Sequence, residues 1–189
     1  MKYGIITDIH NNVIALRAVL KRLDQMNCSR IICCGDIIGI GPYPEETVQE
    51  IAGIPGLMSV RGNHDGYLLE GIPTEYPNEE NMSPGEMEHH RWEHNLLSAE
   101  SVAFLRSMPY RIDFSSEGFD ISVMHSCMDR NGHFSGSKKI HPNQTCWTCL
   151  PMKTAISFCM GMIMPETSAK VISCKSMSAL SAVHQGIEI

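Results

Sequence analysis

Tyr3-Gly4-Ile5-Ile6 runs into Asp8-Ile9-His10, Ile31-Ile32-Cys33-Cys34 runs into Gly35-Asp36, and Leu57-Met58-Ser59-Val60 runs into Arg61-Gly62-Asn63-His64-Asp65. Three times a short apolar run of strand length ends in side chains of metal-ligand type. Between the first two runs, Leu16, Val19, Leu20 and Leu23 recur at helical spacing. Between the second and third, Glu45 to Ala52 reads as a short helix after a Gly/Pro loop. Strands alternating with helices predict an α/β fold with a largely parallel sheet covered by helices. In such a sheet the carboxyl ends of the strands face one crevice, where ligands bind. Asp8, His10, Asp36, Asn63 and His64 are therefore expected to converge.

Residues 71–84 are Pro-rich and acidic and read as a surface loop. Glu86 to Leu97 reads as a helix, with His89, His90 and His94 on a charged, solvated face. Ser98 is placed to cap the next helix, which carries Val102 and Leu105 and stops at Pro109. Ile112 and Phe114, then Phe119, Ile121 and Val123, alternate on either side of Ser116-Glu117-Gly118, which predicts a hairpin. Its second strand ends in Met124-His125-Ser126 and adds one more imidazole.

The 189 residues suit one domain with an appendage, and 43% hydrophobic with 19% charged residues is ordinary globular composition. With net charge −6 and no basic block, a dedicated nucleic-acid binder is not expected. No apolar run approaches membrane-spanning length. Met1-Lys2-Tyr3 leads straight into the first strand, so no signal peptide and a cytoplasmic location are expected. The eight cysteines are then read as thiols, with Cys33 and Cys34 in the core.

Mixed carboxylate, imidazole and amide ligands suit Mn, Fe, Zn or Ni rather than an all-oxygen cage. A carboxylate shared by two ions holds them about 3.5–4 Å apart, the spacing of a two-metal hydrolytic site. Such a pair lowers the pKa of a bridging water and clamps phosphate oxygens. Arg61 is a candidate for a substrate phosphate or for neutralising nearby acids, and Asp65 for capping the turn that follows.

Asp8-Ile9-His10-Asn11-Asn12, Gly35-Asp36-Ile37-Ile38-Gly39-Ile40-Gly41-Pro42-Tyr43-Pro44 and Gly62-Asn63-His64-Asp65 together resemble the calcineurin-like metallophosphoesterase superfamily, in particular its small bacterial and archaeal phosphodiesterase-like branch. The resemblance spans roughly residues 1–140, including Arg91-Trp92 and Phe104 to Pro109. It implies a four-layer αββα sandwich and a dinuclear site of two divalent transition-metal ions. Asp8 and His10 would hold one ion, Asp36 would bridge, and Asn63 and His125 would hold the other. His64 would be the imidazole that stabilises the transferring phosphoryl group or protonates the leaving oxygen. Gly39, Gly41 and Pro42 would shape the loop beside the site, and His133 would lie near its substrate edge. The implied activity is hydrolysis of a small phosphodiester or phosphomonoester by metal-activated hydroxide. The alternatives are a non-catalytic interaction member of the fold and an inactive, truncated phosphoesterase.

The family pattern calls for a later Gly-His-x-His, one imidazole for each ion, and the chain has none. Residues 141–189 also change character: two acids, no Asp, no Arg, four of the eight Cys and five of the thirteen Met. Met160-Gly161-Met162-Ile163-Met164-Pro165 must be encoded ATG-GGN-ATG-ATH-ATG-CCN. Read two nucleotides later, this text permits Gly-His-Asp-His-Ala, and the other shifted frame is closed by TGA. The same shift over Gln144 to Cys159 permits Asn-Leu-Leu-Asp-Met-Leu-Ala-Asp-Glu-Asp-Cys-Asp-Phe-Val-Leu-Tyr, a helix followed by a strand. The expectation is a metallophosphoesterase domain over residues 1–140 and an out-of-frame tail over 141–189, shifted near residues 134–143. Cys146-Trp147-Thr148-Cys149 is on this reading chance text, lacking the further ligands of a zinc site.

Overall fold

The computed structural model describes residues 1–78 and 80–126, and the backbone of residues 155–158 and 187–188. Its first sheet is built as the alternation predicts. β1 (Lys2–Ile6) lies beside β2 (Arg30–Cys33) in parallel, with Tyr3 opposite Arg30 and Ile6 opposite Cys33. β2 lies beside β3 (Met58–Ser59), also parallel. β3 is shorter than the apolar run, because Leu57 is drawn into a turn through a backbone bond to Ile54. β7 (Ile187–Glu188) completes the order β3-β2-β1-β7, running antiparallel to β1.

The hairpin forms as expected: β4 (Arg111–Ser116) and β5 (Phe119–Met124) pair antiparallel. It founds a second sheet instead of extending the first, and β6 (Ala155–Phe158) joins β5 in parallel. Side-chain alternation explains why two sheets form. Tyr3, Ile5, Ile32, Cys34 and Val60 face one way and meet Ile121 and Val123 of the hairpin. Ile6 and Cys33 face the other way, onto α1 (Val13–Gln25), α2 (Pro44–Ala52) and α5 (Ala99–Ser107). A strand buried on both faces needs no polar alternation, so β1 and β2 read as continuous apolar runs. Gly4 lets α1 approach, since a Cβ there would lie 2.8 Å from Leu23 Cδ1.

Helix, sheet and sheet are the three sandwich layers formed by described residues. The remaining helices, α3 (Asn63–Glu70) and α4 (Pro84–His94), stand at the crevice end. α4 begins earlier than the apolar pattern suggests. Ser83 accepts a bond from Glu86 N while Glu86 Oε2 accepts one from Ser83 N, a reciprocal cap ahead of Pro84. Ser98 caps α5 by accepting from Ser101 N at 3.1 Å. Among the described residues no helix is long and apolar enough to cross a membrane.

Candidate metal centre

The loops after β1 and β2 are zipped together by backbone bonds: Asp8 N to Gly35 O at 3.1 Å, His10 N to Asp36 O at 3.0 Å, and Asn11 N to Ile37 O at 3.0 Å. The zipper puts ligand-type residues from two strands side by side. It also requires an unusual backbone, for Asp8 (φ 53), His10 (φ 47), Asn11 (φ 57) and Asp36 (φ 54) are all left-handed. Such conformations persist only where surrounding bonds over-determine them, and they collect at functional sites. Ile40 (φ 62) is the costliest, being β-branched, and it is 64% exposed.

The third strand comes in just as closely. A Cβ on Gly62 would lie 2.1 Å from Asp36 Oδ1, and one on Gly35 would lie 2.5 Å from Gly62 N. These contacts are why both strand ends carry glycine. Asp65 locks the approach. Its buried carboxylate accepts backbone N–H bonds from Asp36 (2.9 Å), Ile37 (2.9 Å), Ile38 (3.2 Å) and Gly62 (2.9 Å). It thus ties the β2 loop to the β3 loop, a role wider than capping α3.

Asp36 sits at the middle. One carboxylate oxygen accepts from His64 N at 3.0 Å; the other is 3.3 Å from His125 Nε2 and 3.8 Å from His10 Nε2. His10 Nδ1 donates to Ile38 O (3.2 Å) and His125 Nδ1 to Cys34 O (2.8 Å). Carbonyls only accept, so in each ring Nε2 is the atom left facing the carboxylates, the usual way a metal-binding imidazole is aimed. Two groups have ligand atoms all within 4.8 Å of one another: Asp8, Asp36 and His125, and His10, Asp36 and His64. Asp36 belongs to both. Asp8 Oδ1 also lies 3.7 Å from His10 Nε2.

The charges reflect this crowding. Burial pushes the Asp36 carboxyl up, but His125, His64 and His10 outweigh it and hold the group below its ordinary value. Burial works against a charged His125 too, yet Asp36 and Asp8 lift it to about 9. His64 is held below its ordinary value, first by burial and then by His10 and His90. Its Nδ1 is buried without a hydrogen-bond partner, against Gly39, where a Cβ would come within 2.6 Å. Converging carboxylates with two Nε2 atoms aimed at them fit divalent cations of borderline softness.

The other expected residues are placed as follows. Asn63 opens α3, and its side chain is hydrogen-bonded to Tyr67, whose hydroxyl donates to Glu80. Gly41 packs on the His10 carbonyl, where a Cβ would lie 2.3 Å away, and Pro42 is exposed beside it. Arg61 donates to Arg106 O at 2.9 Å, faces Glu70 at 3.6 Å and lies over the Tyr110 ring. His133 lies outside the described residues, as do Cys146 and Cys149.

The solvated face expected for α4 is a misreading. His90 and Glu93 are 2% and 0% exposed. Glu93 Oε2 accepts from Asn11 Nδ2 (2.5 Å) and Gly39 N (2.8 Å), which ties α4 to both ligand-bearing loops. His90 packs its ring 5.1 Å from that of His64. Helical periodicity of apolar residues cannot reveal a face buried through charge pairing. The available signal was the i, i+3, i+4 spacing of His90, Glu93 and His94.

The calcineurin-like phosphoesterase superfamily domain matches residues 1–146, and the chain belongs to that superfamily. Its general kind is that of hydrolases acting on phosphate esters, and its members bind divalent metal ions. An uncharacterized protein of Methanocaldococcus jannaschii is 32% identical over 123 residues, 65% of this chain and 48% of that protein. A metallophosphoesterase from Sphaerobacter thermophilus is 26% identical with a TM-score of 0.55, covering 85% of this chain and 60% of that one. The chain therefore spans about half of the first and less than two thirds of the second. A hypothetical protein from Pyrococcus horikoshii has the same fold at 18% identity and a TM-score of 0.62, covering 84% of this chain and 68% of that one.

Proposed function

We propose that the protein is a metal-dependent phosphoesterase that hydrolyses a small phosphodiester or phosphomonoester in the cytoplasm. The observation that carries this reading is Asp36, a buried carboxylate common to two separate groups of ligand atoms. Two divalent ions (Mn, Fe, Zn or Ni), when bound, would supply hydroxide near neutral pH and offset the charge of phosphate oxygens. Asp36 would be the shared ligand, with Asp8, His10, Asn63 and His125 around it. Burial holds the His64 pKa below its ordinary value, and a ring N–H would donate to the transferring phosphoryl group or to the leaving oxygen. Gly39, Gly41 and Pro42 would form the wall that substrate meets, and Arg61 and His133 are further candidates for holding its phosphate.

We also propose that residues 141–189 are read out of frame. The chain lacks Gly-His-x-His, while the shifted text permits Gly-His-Asp-His in register. That text permits Asp-Phe-Val-Leu over positions 155–158, the span of β6. The chain would then lack an imidazole at each ion and bind metal weakly. Sequencing the gene across codons 134–143 tests this, and independent reads that keep the present frame would refute an error in the sequence. For the activity, the repaired-frame protein is expected to hydrolyse bis-p-nitrophenyl phosphate with Mn²⁺ or Ni²⁺. Replacing Asp36 or His64 should abolish turnover. Full retention in both variants would break the mechanism, and near-zero metal per correctly framed chain would favour a non-catalytic interaction role.

A further inference from the structure

We propose that His90, Glu93 and His94 form a cation site of their own, for Zn²⁺ or a similar borderline divalent ion, on the buried side of α4. The three residues lie at i, i+3 and i+4, hence on one helix face, and their ligand atoms all fall within 4.8 Å of one another. Two imidazoles and one carboxylate are a common zinc donor set that leaves a fourth position open.

The carboxylate is already oriented. Glu93 Oε2 is held by Asn11 Nδ2 and Gly39 N, which leaves Oε1 facing His90 Nδ1 at 2.6 Å and His94 Nε2 at 3.8 Å. A hydrogen bond to Glu93 accounts for His90 Nδ1 but leaves His94 without a hydrogen-bond partner. His94 Nε2 is buried and has no hydrogen-bond partner, although it is aimed at the same oxygen. Buried polar atoms left unpaired are rare in native proteins, and a cation between the three atoms satisfies both rings and the carboxylate. Zn–N and Zn–O bonds of about 2.0–2.2 Å put tetrahedral ligand atoms roughly 3.4 Å apart. The two separations from Glu93 Oε1 bracket that value. His94, with 17% of its side chain exposed, is the open side.

This site shares no ligand with the Asp36 groups and does not depend on the phosphoesterase reading. An ion there would stiffen the Asn11 and Gly39 loops through Glu93. The test uses the chain as it stands, tag-free and reconstituted with Zn²⁺ or Co²⁺. Elemental analysis should show His94→Ala holding one Zn²⁺ per chain fewer than the wild type, with an unchanged far-ultraviolet spectrum. His94→Gln, which keeps the side-chain volume, guards against misfolding and should show the same deficit. Comparing variants in this way cancels any ion held by Cys146 and Cys149. The Co²⁺ visible band lost in His94→Ala should persist in Asp36→Asn, whose own deficit reports the other centre. Equal Zn²⁺ content and equal Co²⁺ spectra in wild type and both His94 variants would overturn the proposal, leaving a buried His90–Glu93 hydrogen bond only. Loss of that band in Asp36→Asn would also overturn it, because the ion would then belong to the first centre.

Discussion

Asp65→Asn is the sharpest test of how the centre is held together. The wild-type carboxylate accepts four backbone N–H groups, two on each oxygen. An asparagine offers one oxygen, so two N–H groups face an NH₂ that cannot accept. Hydrogen bonds to a charged group contribute about 1.5–3 kcal/mol each, which puts the gross loss at about 3–6 kcal/mol. An opposing effect exists: burial, and then the charge of Asp36, hold the Asp65 carboxyl above its ordinary range. Removing the charge relieves that strain. Whichever way the amide turns, the stranded N–H pair (Asp36 with Gly62, or Ile37 with Ile38) is buried backbone that cannot turn to water, so the loss prevails. A net destabilisation of about 3 kcal/mol is a large part of the 5–15 kcal/mol typical of a domain. At about 2–4 °C per kcal/mol for a chain of this size, Tm should fall by roughly 6–12 °C. Circular dichroism melts and urea titrations at pH 7 read this directly. A shift under about 2 °C would mean that the Asp65 bonds are not what joins the two loops.

Two further outcomes follow from the same geometry. His125 must lose its Nε2 proton to bind a metal, and its pKa is raised to about 9. Metal affinity should therefore climb with pH by about tenfold per unit up to that value, with at least one proton released at pH 7. Calorimetry in buffers of differing ionisation heat counts the protons, and none released would refute the assignment. In the metal-free protein the sign reverses. The raised pKa stabilises fully below the unfolded value and the benefit fades as pH rises toward 9, which pH-dependent melts would show. Gly62→Ala should destabilise by about 3 kcal/mol or more, since its Cβ would lie 2.4 Å from Asp36 N and backbone cannot step aside. Gly56→Ala has open space and only a left-handed φ of 67° to resist it, so about 1 kcal/mol is expected. Equal losses in the two variants would refute the crowding argument.

The three strand-to-ligand transitions were legible because two local rules coincide there. Apolar runs of four residues mark buried strands, and polar residues of ligand type follow each at the end that faces the crevice. Ser98 and the hairpin were legible for similar reasons, as caps and turns are chemistry between near neighbours. Four things required the folded chain. The hairpin's choice of a second sheet depends on which faces of β1 and β2 are left uncovered. Glycine at positions 35 and 62 becomes intelligible only when a Cβ at either would fall within 3 Å of backbone across the loops. Asp65 looks like a cap until its oxygens are seen to reach a loop 27 to 29 residues earlier. Glu93, charged and flanked by histidines, looks solvated until Asn11 and Gly39 are found to close over it. Local pattern reports what a residue prefers on average, whereas a buried charge is stable only through partners distant in the chain, and only tertiary structure decides who those partners are.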